Sequence, residues 1–193
     1  MKASPSLPGM VNALALTPKG AVVAHVECLL LSGRGKLILT GNLVGEARDA
    51  AQVTLSLARV RARSLGVDPS EFLNTDIHFH IPTGPKKDGP SVGLAMFVAL
   101  VSAMIRKPVP SEMVFTGELS LSGKIHGVGG LSRKALAAFK AGTKRLYLPQ
   151  ENSPETLALP VIVQKGLSIF PVDHVDNMLS LVFGKEFSKA KSR

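Results

Sequence analysis

Ser91 stands in a setting that suits nucleophilic chemistry. Gly89 and Pro90 precede it, Gly93 follows it, and the apolar stretch that begins here predicts a helix. The glycines let a substrate main chain come close, and Pro90 fixes the angle of entry. Because the free N–H groups at a helix N-terminus can hold an oxyanion, this pattern favours acyl transfer. The alternative is a serine that only caps the helix, since serine is a preferred N-cap residue.

A serine hydroxyl also needs a base, which can be an imidazole or an amine. Lys134 lies at the edge of the apolar face of a predicted helix over residues 131–141. Burial there would lower its pKa from about 10.4 toward the range of a general base near neutral pH. The alternative is a lysine that extends its ammonium group to solvent. His78 and His80, on one face of a predicted strand, are the other candidate bases, and a structural role is the alternative for both.

The elements that must position these residues alternate between strands and helices. Periodicity and turn residues predict strands over residues 11–17, 21–31, 37–40, 76–81, 113–116, 119–121, 124–128, 145–148 and 168–172. They predict helices over residues 47–65, from 91 onward, over 131–141, after 154 and over 175–183. The first two strands are expected to form a hairpin. The fold class is therefore α/β (α+β mixed), a compact single domain with short mixed sheets and about four helices.

Length and composition fit one domain over residues 1–193, with flexible tails at 1–8 and 185–193. Hydrophobic residues make up 45% and charged residues 19%, which excludes a disordered chain. With Cys28 as the single cysteine, no internal disulfide can form and no cysteine-rich metal site is expected, which fits a reducing cytoplasm. No secretory signal is visible, and the longest apolar stretch, residues 92–105, is too short to cross a bilayer.

The net charge of +9 could attract nucleic acid. The alternative is that this charge only keeps the protein in solution. The basic residues are dispersed and no aromatic-plus-basic stripe accompanies them, so any nucleic-acid binding is expected to be weak. The pattern G-x-x-x-x-G-K-[ST] does not occur in the sequence. We therefore expect no nucleotide, metal or other cofactor to be bound by this chain itself.

Three segments together resemble the proteolytic domain of the ATP-dependent Lon proteases. They are Asp88-Gly89-Pro90-Ser91, Thr116-Gly117-Glu118 and Gly129-Gly130-Leu131-Ser132-Arg133-Lys134, in matching order and spacing. The resemblance extends from about residue 8 to residue 183 and includes His78, His80 and residues 148–152. It implies that Ser91 attacks the scissile carbonyl, that Lys134 accepts its proton and that Thr116 orients the lysine. Asp88 and Glu118, with Gly89, Pro90 and Val92, would shape the site.

The resemblance further implies the family fold, a hexameric ring, unfolded or damaged protein substrates, and a cytoplasmic location. ATP and Mg²⁺ would act only through an AAA+ ATPase module that this chain lacks. Val92 stands where alanine is common, and His126 and Gly127 stand where a Leu-Pro pair is frequent. Two other functions stay open, a catalytically inactive scaffold of the same fold and a nucleic-acid-binding domain.

Overall fold

A computed structural model describes residues 6–41, 43–82 and 89–184 of the chain. The strands are β1 (Met10–Thr17), β2 (Gly20–Ser32), β3 (Leu37–Thr40), β4 (Thr75–His80), β5 (Met113–Phe115), β6 (Glu118–Leu119), β7 (Ile125–His126), β8 (Arg145–Pro149) and β9 (Ser168–Val172). Seven of them form one mixed sheet in the order β3-β4-β2-β1-β5-β8-β9, and β6 pairs with β7. Both neighbours of β2 run antiparallel to it, and the other pairs of the large sheet are parallel.

The α-helices are α1 (Glu46–Val60), α2 (Glu71–Asn74), α3 (Gly93–Ile105), α4 (Leu131–Lys140), α5 (Val161–Gly166) and α6 (Val175–Phe183). Three 3₁₀ segments, Arg63–Leu65, Pro90–Val92 and Gln150–Ala158, complete the described elements. None of the helices in the described part of the chain is both long and apolar enough to cross a membrane.

The large sheet separates two hydrophobic cores. Alternation along β1 sends Ala13 and Ala15 to the face covered by α1 and α3, and Leu14 to the face covered by α4 and α5. Helix α3 is buried along almost its whole length, because α1 covers the side that turns away from the sheet. Helices α3 and α4 therefore lie on opposite faces of the same strands. The N-terminus of each helix lies near the region that contains Ser91 and Lys134.

Several predicted elements are confirmed. The first two strands form the expected hairpin, with Thr17 opposite Gly20 at its turn. The strand over residues 37–40, the strand over 168–172 and the helix over 175–183 have the predicted bounds. These segments carry strong local signals, namely alternation or helical periodicity between clear turn residues.

The predicted α/β (α+β mixed) class is confirmed, and some details of it differ. The described residues form one mixed sheet of seven strands beside the short β6–β7 pair, because β1 pairs with β5 and β3 with β4 across long stretches of sequence. The described residues contain six α-helices where about four were expected, since the short helices α2 and α5 lack enough turns to show a period. Helix α1 ends at Val60, and a turn and a 3₁₀ segment continue the chain to Gly66.

Candidate active site

Ser91 lies in the 3₁₀ turn Pro90–Val92 that leads into α3, two residues before the α-helix begins at Gly93. The N-cap position of α3 is occupied by Val92, and no side chain makes a capping hydrogen bond there. Within the described part of the chain, the Ser91 hydroxyl makes no hydrogen bond. The capping role considered for Ser91 is therefore wrong, and its hydroxyl is available for chemistry.

The turn that carries Ser91 is held by the segment that follows β5. The main-chain N–H of Gly117 donates to the Ser91 carbonyl at 3.0 Å, and the Gly117 carbonyl accepts from Leu94 at 3.1 Å. A Cβ atom at Gly117 would approach Ile125 Cγ2 to 2.9 Å, so only glycine fits this contact without displacing a neighbour. The position of Ser91 thus depends on residues 116 and 117.

Lys134 lies one turn into α4, which begins after Gly130 in a left-handed conformation with φ of 71°. Its side chain is only 1% exposed, so the alternative of a lysine extending into solvent is wrong. Lys134 Nζ donates to Thr116 Oγ1 at 3.0 Å, and Thr116 is itself fully buried. The neighbouring residues 116 and 117 therefore contact both Lys134 and the Ser91 turn.

Burial lowers the pKa of Lys134 from 10.5 to about 8, because an ammonium ion loses its hydration in this environment. None of the described carboxylates pairs with it, and desolvation is the sole cause of the shift. With that pKa, about one lysine in ten carries a neutral amine at neutral pH. A surface lysine would hold fewer than about one in a thousand in that form.

Ser91 and Lys134 line the same cleft, whose volume is about 220 Å³. Its other lining residues are Ala15, Leu16, Gly89, Pro90, Glu118, Gly127, Val128 and Gly129. Of the expected supporting residues, Glu118 is half-buried at the cleft, and Thr116 contacts Lys134 from behind it. Val92 packs into the hydrophobic core and does not line the cleft. Asp88 lies outside the described residues.

The other nucleophile and base candidates are placed elsewhere. Thr40 Oγ1 forms hydrogen bonds with His78 Nε2 at 2.8 Å and with His80 Nδ1 at 2.6 Å, and neither histidine lines the cleft. Burial raises the pKa of the Cys28 thiol to about 12, which leaves it without reactive thiolate. Among the described residues, no group of three or more His, Cys, Asp or Glu side chains converges as a metal site.

Two parts of the cleft carried no recognisable signal in the sequence. Ala15 and Leu16 belong to β1, and nothing in an alternating strand indicates that its end lines a cleft. Residues 127–129 form the other part, and they are held by the side chains of Glu151 and Asn152. The glycines at 127, 129 and 130 were the available hint that this loop packs closely against other residues.

The amino-acid sequence of this chain is similar to those of known proteins of one family. Residues 2–185 match the family model of the Lon protease (S16) C-terminal proteolytic domain. The chain is 37% identical over 185 residues to a Lon protease of Xanthomonas oryzae pv. oryzae, covering 95% of this chain and 22% of that protein. It is 41% identical over 178 residues to a Lon protease of Desulfovibrio desulfuricans, and the aligned residues cover 92% of this chain and 20% of that protein.

A third relative, a Lon protease of Brevibacillus choshinensis, is 40% identical over 179 residues, which cover 92% of this chain and 23% of the relative. The chain thus spans less than a quarter of each of these relatives, and the family model matches almost all of it. The chain belongs to the family of Lon protease (S16) C-terminal proteolytic domains.

Proposed function

We propose that this chain is a serine endopeptidase domain that hydrolyses peptide bonds with a dyad of Ser91 and Lys134. The observation that carries the proposal is the burial of Lys134 at the cleft that Ser91 also lines, with a pKa lowered to about 8. A base for a serine hydroxyl must be uncharged when the reaction starts, and a solvent-exposed lysine is not. No histidine of the described residues lines this cleft.

In the proposed reaction, neutral Lys134 takes the proton of Ser91 Oγ as this oxygen bonds to the scissile carbonyl carbon. The carbon–nitrogen bond then breaks, and the Lys134 ammonium returns the proton to the leaving amine. Water attacks the resulting ester on Ser91 and gives a proton to Lys134. The ester bond breaks, the Lys134 ammonium returns this proton to Ser91 Oγ, and the acid product leaves.

Two further groups are assigned to this reaction. The main-chain N–H groups around the Ser91 turn would stabilise the oxyanion, because the N-terminal end of α3 carries a partial positive charge. Thr116 would hold the Lys134 amine through the hydrogen bond between them. Glu118 at the cleft rim, together with Asp88, would shape the binding of substrate.

The substrates proposed are unfolded or damaged polypeptides, since the matched relatives are Lon proteases. An AAA+ unfoldase module that uses ATP and Mg²⁺ would deliver them, in a hexameric assembly located in the cytoplasm. This chain has no P-loop pattern of its own. ATP consumption is therefore assigned to another part of the assembly.

Covalent labelling tests the proposal directly. A fluorophosphonate is expected to add one phosphonyl group to Ser91 Oγ with loss of fluoride, located by mass spectrometry of a digest. Because the neutral form of Lys134 is required, the labelling rate should rise about tenfold from about pH 6 to pH 7. Above a pH of about 9 the rate should level off. A pH-independent rate, or a label on another serine, would contradict the dyad.

The labelling experiment tests one alternative function, because an inactive scaffold would leave Ser91 unlabelled at every pH. A separate DNA-binding titration tests the other, alone or in addition to proteolysis. A nucleic-acid-binding domain would bind DNA with an affinity that weakens steeply as salt rises, because phosphate contacts release counterions. The net charge of +9 is the feature that would support such binding.

Replacing Thr116 with valine is expected to impair the base and leave the fold intact. Valine has nearly the same shape but gives the Lys134 amine no acceptor, and Thr116 is fully buried. The maximal labelling rate should fall about tenfold, because the amine is less well oriented. The acidic limb of the pH profile should also move to lower pH. Loss of the hydrogen bond to Thr116 destabilises the ammonium form of Lys134 more than its neutral form, and this lowers the pKa further.

Thr116→Ser is the matched control for this variant, because it retains the hydroxyl. It should keep both the maximal rate and the pH profile close to wild type. A valine variant with an unmoved limb would show that Thr116 does not interact with the charged form of Lys134.

A further inference from the structure

The wall of the cleft formed by residues 127–129 lies between two regular elements and belongs to neither. Strand β7 ends at His126, and α4 begins at Leu131. No strand ladder in the described part of the chain includes these residues. Another feature must therefore fix the main chain of this wall, which faces the same space as Ser91.

That feature is a pair of side chains from the 3₁₀ segment Gln150–Ala158. Asn152 Oδ1 accepts a hydrogen bond from the Val128 N–H at 2.9 Å, and Asn152 Nδ2 donates to the Val128 carbonyl at 2.9 Å. Glu151 Oε2 accepts from the Gly127 N–H at 2.7 Å. The amide of Asn152 thus takes the place of a neighbouring strand, because it pairs with both the N–H and the carbonyl of one residue, Val128.

Asn152 is well suited to hold this wall in one position. It is 5% exposed, and its Nδ2 also donates to Glu155, so its amide orientation is fixed from two sides. The N–H of Val128 is occupied by Asn152, and within the part of the chain that the structure describes its carbonyl keeps one lone pair free. A wall held in one position in the cleft that Ser91 also lines would align an extended chain.

We propose that Asn152 is a positioning residue for peptide binding, which holds the Val128 wall of the cleft and leaves Ser91 and Lys134 themselves unaffected. This inference rests on the proposed function. The separation from the dyad follows from the anchoring of α4, whose residues Leu131, Ala135 and Ala138 are fully buried in their own core cluster. Lys134 therefore stays in place when the hydrogen bonds of Asn152 are lost.

The test compares peptide hydrolysis with phosphonylation in the Asn152→Ala variant. Small fluorophosphonates need only Ser91 and Lys134, so their labelling rate should stay within about twofold of wild type. The kcat/KM for an extended fluorogenic peptide should fall about tenfold, mainly through a higher KM, because the wall no longer aligns the chain. Asn177→Ala is the matched control, since Asn177 is exposed on α6 and, among the described residues, its side chain donates to Asp173 alone.

Hydrogen exchange gives a second measurement that needs no substrate. The Val128 amide should exchange faster in Asn152→Ala, while the amides of β8 should keep their protection. If Asn152→Ala fails to fold, Asn152→Ser retains a polar side chain too short to reach both groups and serves in its place.

Three results would count against the inference, and they are distinguishable. Unchanged kcat/KM for the extended peptide would overturn it, as would a parallel loss of peptide hydrolysis and labelling, which indicates a general structural effect. A wild-type chain that neither takes the label nor cleaves peptide would overturn the proposed function, and the role of Asn152 with it.

Discussion

Replacing Ser91 with alanine is expected to lower peptide hydrolysis by at least about 10⁴-fold while the fold and its stability stay unchanged. The reaction would lose its nucleophile and leave only the modest contribution of substrate binding and oxyanion contacts. Stability should be retained because the Ser91 hydroxyl makes no hydrogen bond within the described part of the chain. The main-chain hydrogen bond of Ser91 to Gly117 does not depend on the side chain.

Initial rates on an extended fluorogenic peptide, with urea unfolding in parallel, would measure both halves of this expectation. Ser168→Ala is the matched control, because Ser168 is exposed on the edge strand β9 and lies outside the cleft lining. It should retain full activity. A Ser91→Ala variant with more than a few per cent of wild-type activity would assign the nucleophile to another residue.

Replacing Lys134 with methionine is expected to abolish activity to a similar extent and, at the same time, to remove a source of instability. Methionine matches the length of the lysine stem but cannot take a proton. Because both residues would act as one unit, the double variant with Ser91→Ala should be no less active than either single variant. An additive loss would indicate that the two residues act in separate steps.

The effect on stability follows from the pKa of Lys134. Its folded value of about 8 lies below the ordinary 10.5, so the unfolded chain binds this proton more tightly than the folded one. Below about pH 8 both states carry the proton, and the folded state bears a cost of about 3 kcal/mol for burying the charge. This cost decreases as pH rises through the window from about 8 to 10.5, where the folded protein has released the proton and the unfolded chain has not.

The methionine variant should therefore be more stable than wild type at neutral pH, and this advantage should shrink by about 2–3 kcal/mol by about pH 10. The lost partner of Thr116 offsets about 1 kcal/mol of the gain at any pH. Urea unfolding at the two pH values, with Lys140→Met on the exposed face of α4 as control, measures the difference. An advantage that does not change with pH would contradict a lowered pKa of Lys134.

Burial of the Lys134 ammonium, which also lowers its pKa, is expected to reduce the stability of the folded protein. The fold retains a lysine where we expect an apolar residue to be more stable, and within the described part of the chain its ammonium group has one hydroxyl as partner. Groups that are kept in an unfavourable environment are typical of functional sites, because catalysis needs a pKa near the working pH. The stability gain expected for Lys134→Met is the measurable sign of this cost.

The sequence by itself determined the elements whose signals are local. The hairpin of β1 and β2, strand β3 and helix α6 follow from alternation or periodicity between turn residues, and they have the predicted bounds or nearly so. The two residues of greatest chemical interest were also visible in the sequence, Ser91 among glycines before an apolar helix and Lys134 near an apolar helix face. The family could be recognised from three short segments in order, and the family model confirms it.

The sequence left open the choice between chemistry and structure at both residues. Serine at a helix start is most often a cap, and lysine at the edge of an apolar face most often reaches water. Only the tertiary structure decided that the Ser91 side chain forms no capping bond and that Lys134 is 1% exposed. The tertiary structure also showed that His78 and His80 form hydrogen bonds with Thr40 and do not line the cleft.

The physical reason is the range of each interaction. Helical and strand periods are set by neighbours a few residues apart, so they can be predicted from a short window of sequence. Desolvation of Lys134 depends on every element packed around it, and its acceptor Thr116 is 18 residues away along the chain. The Val128 wall likewise depends on Asn152, 24 residues further on, and no local pattern specifies such a contact. Sequence determined which groups the site contains, and packing decided which of them are buried, paired or free to react.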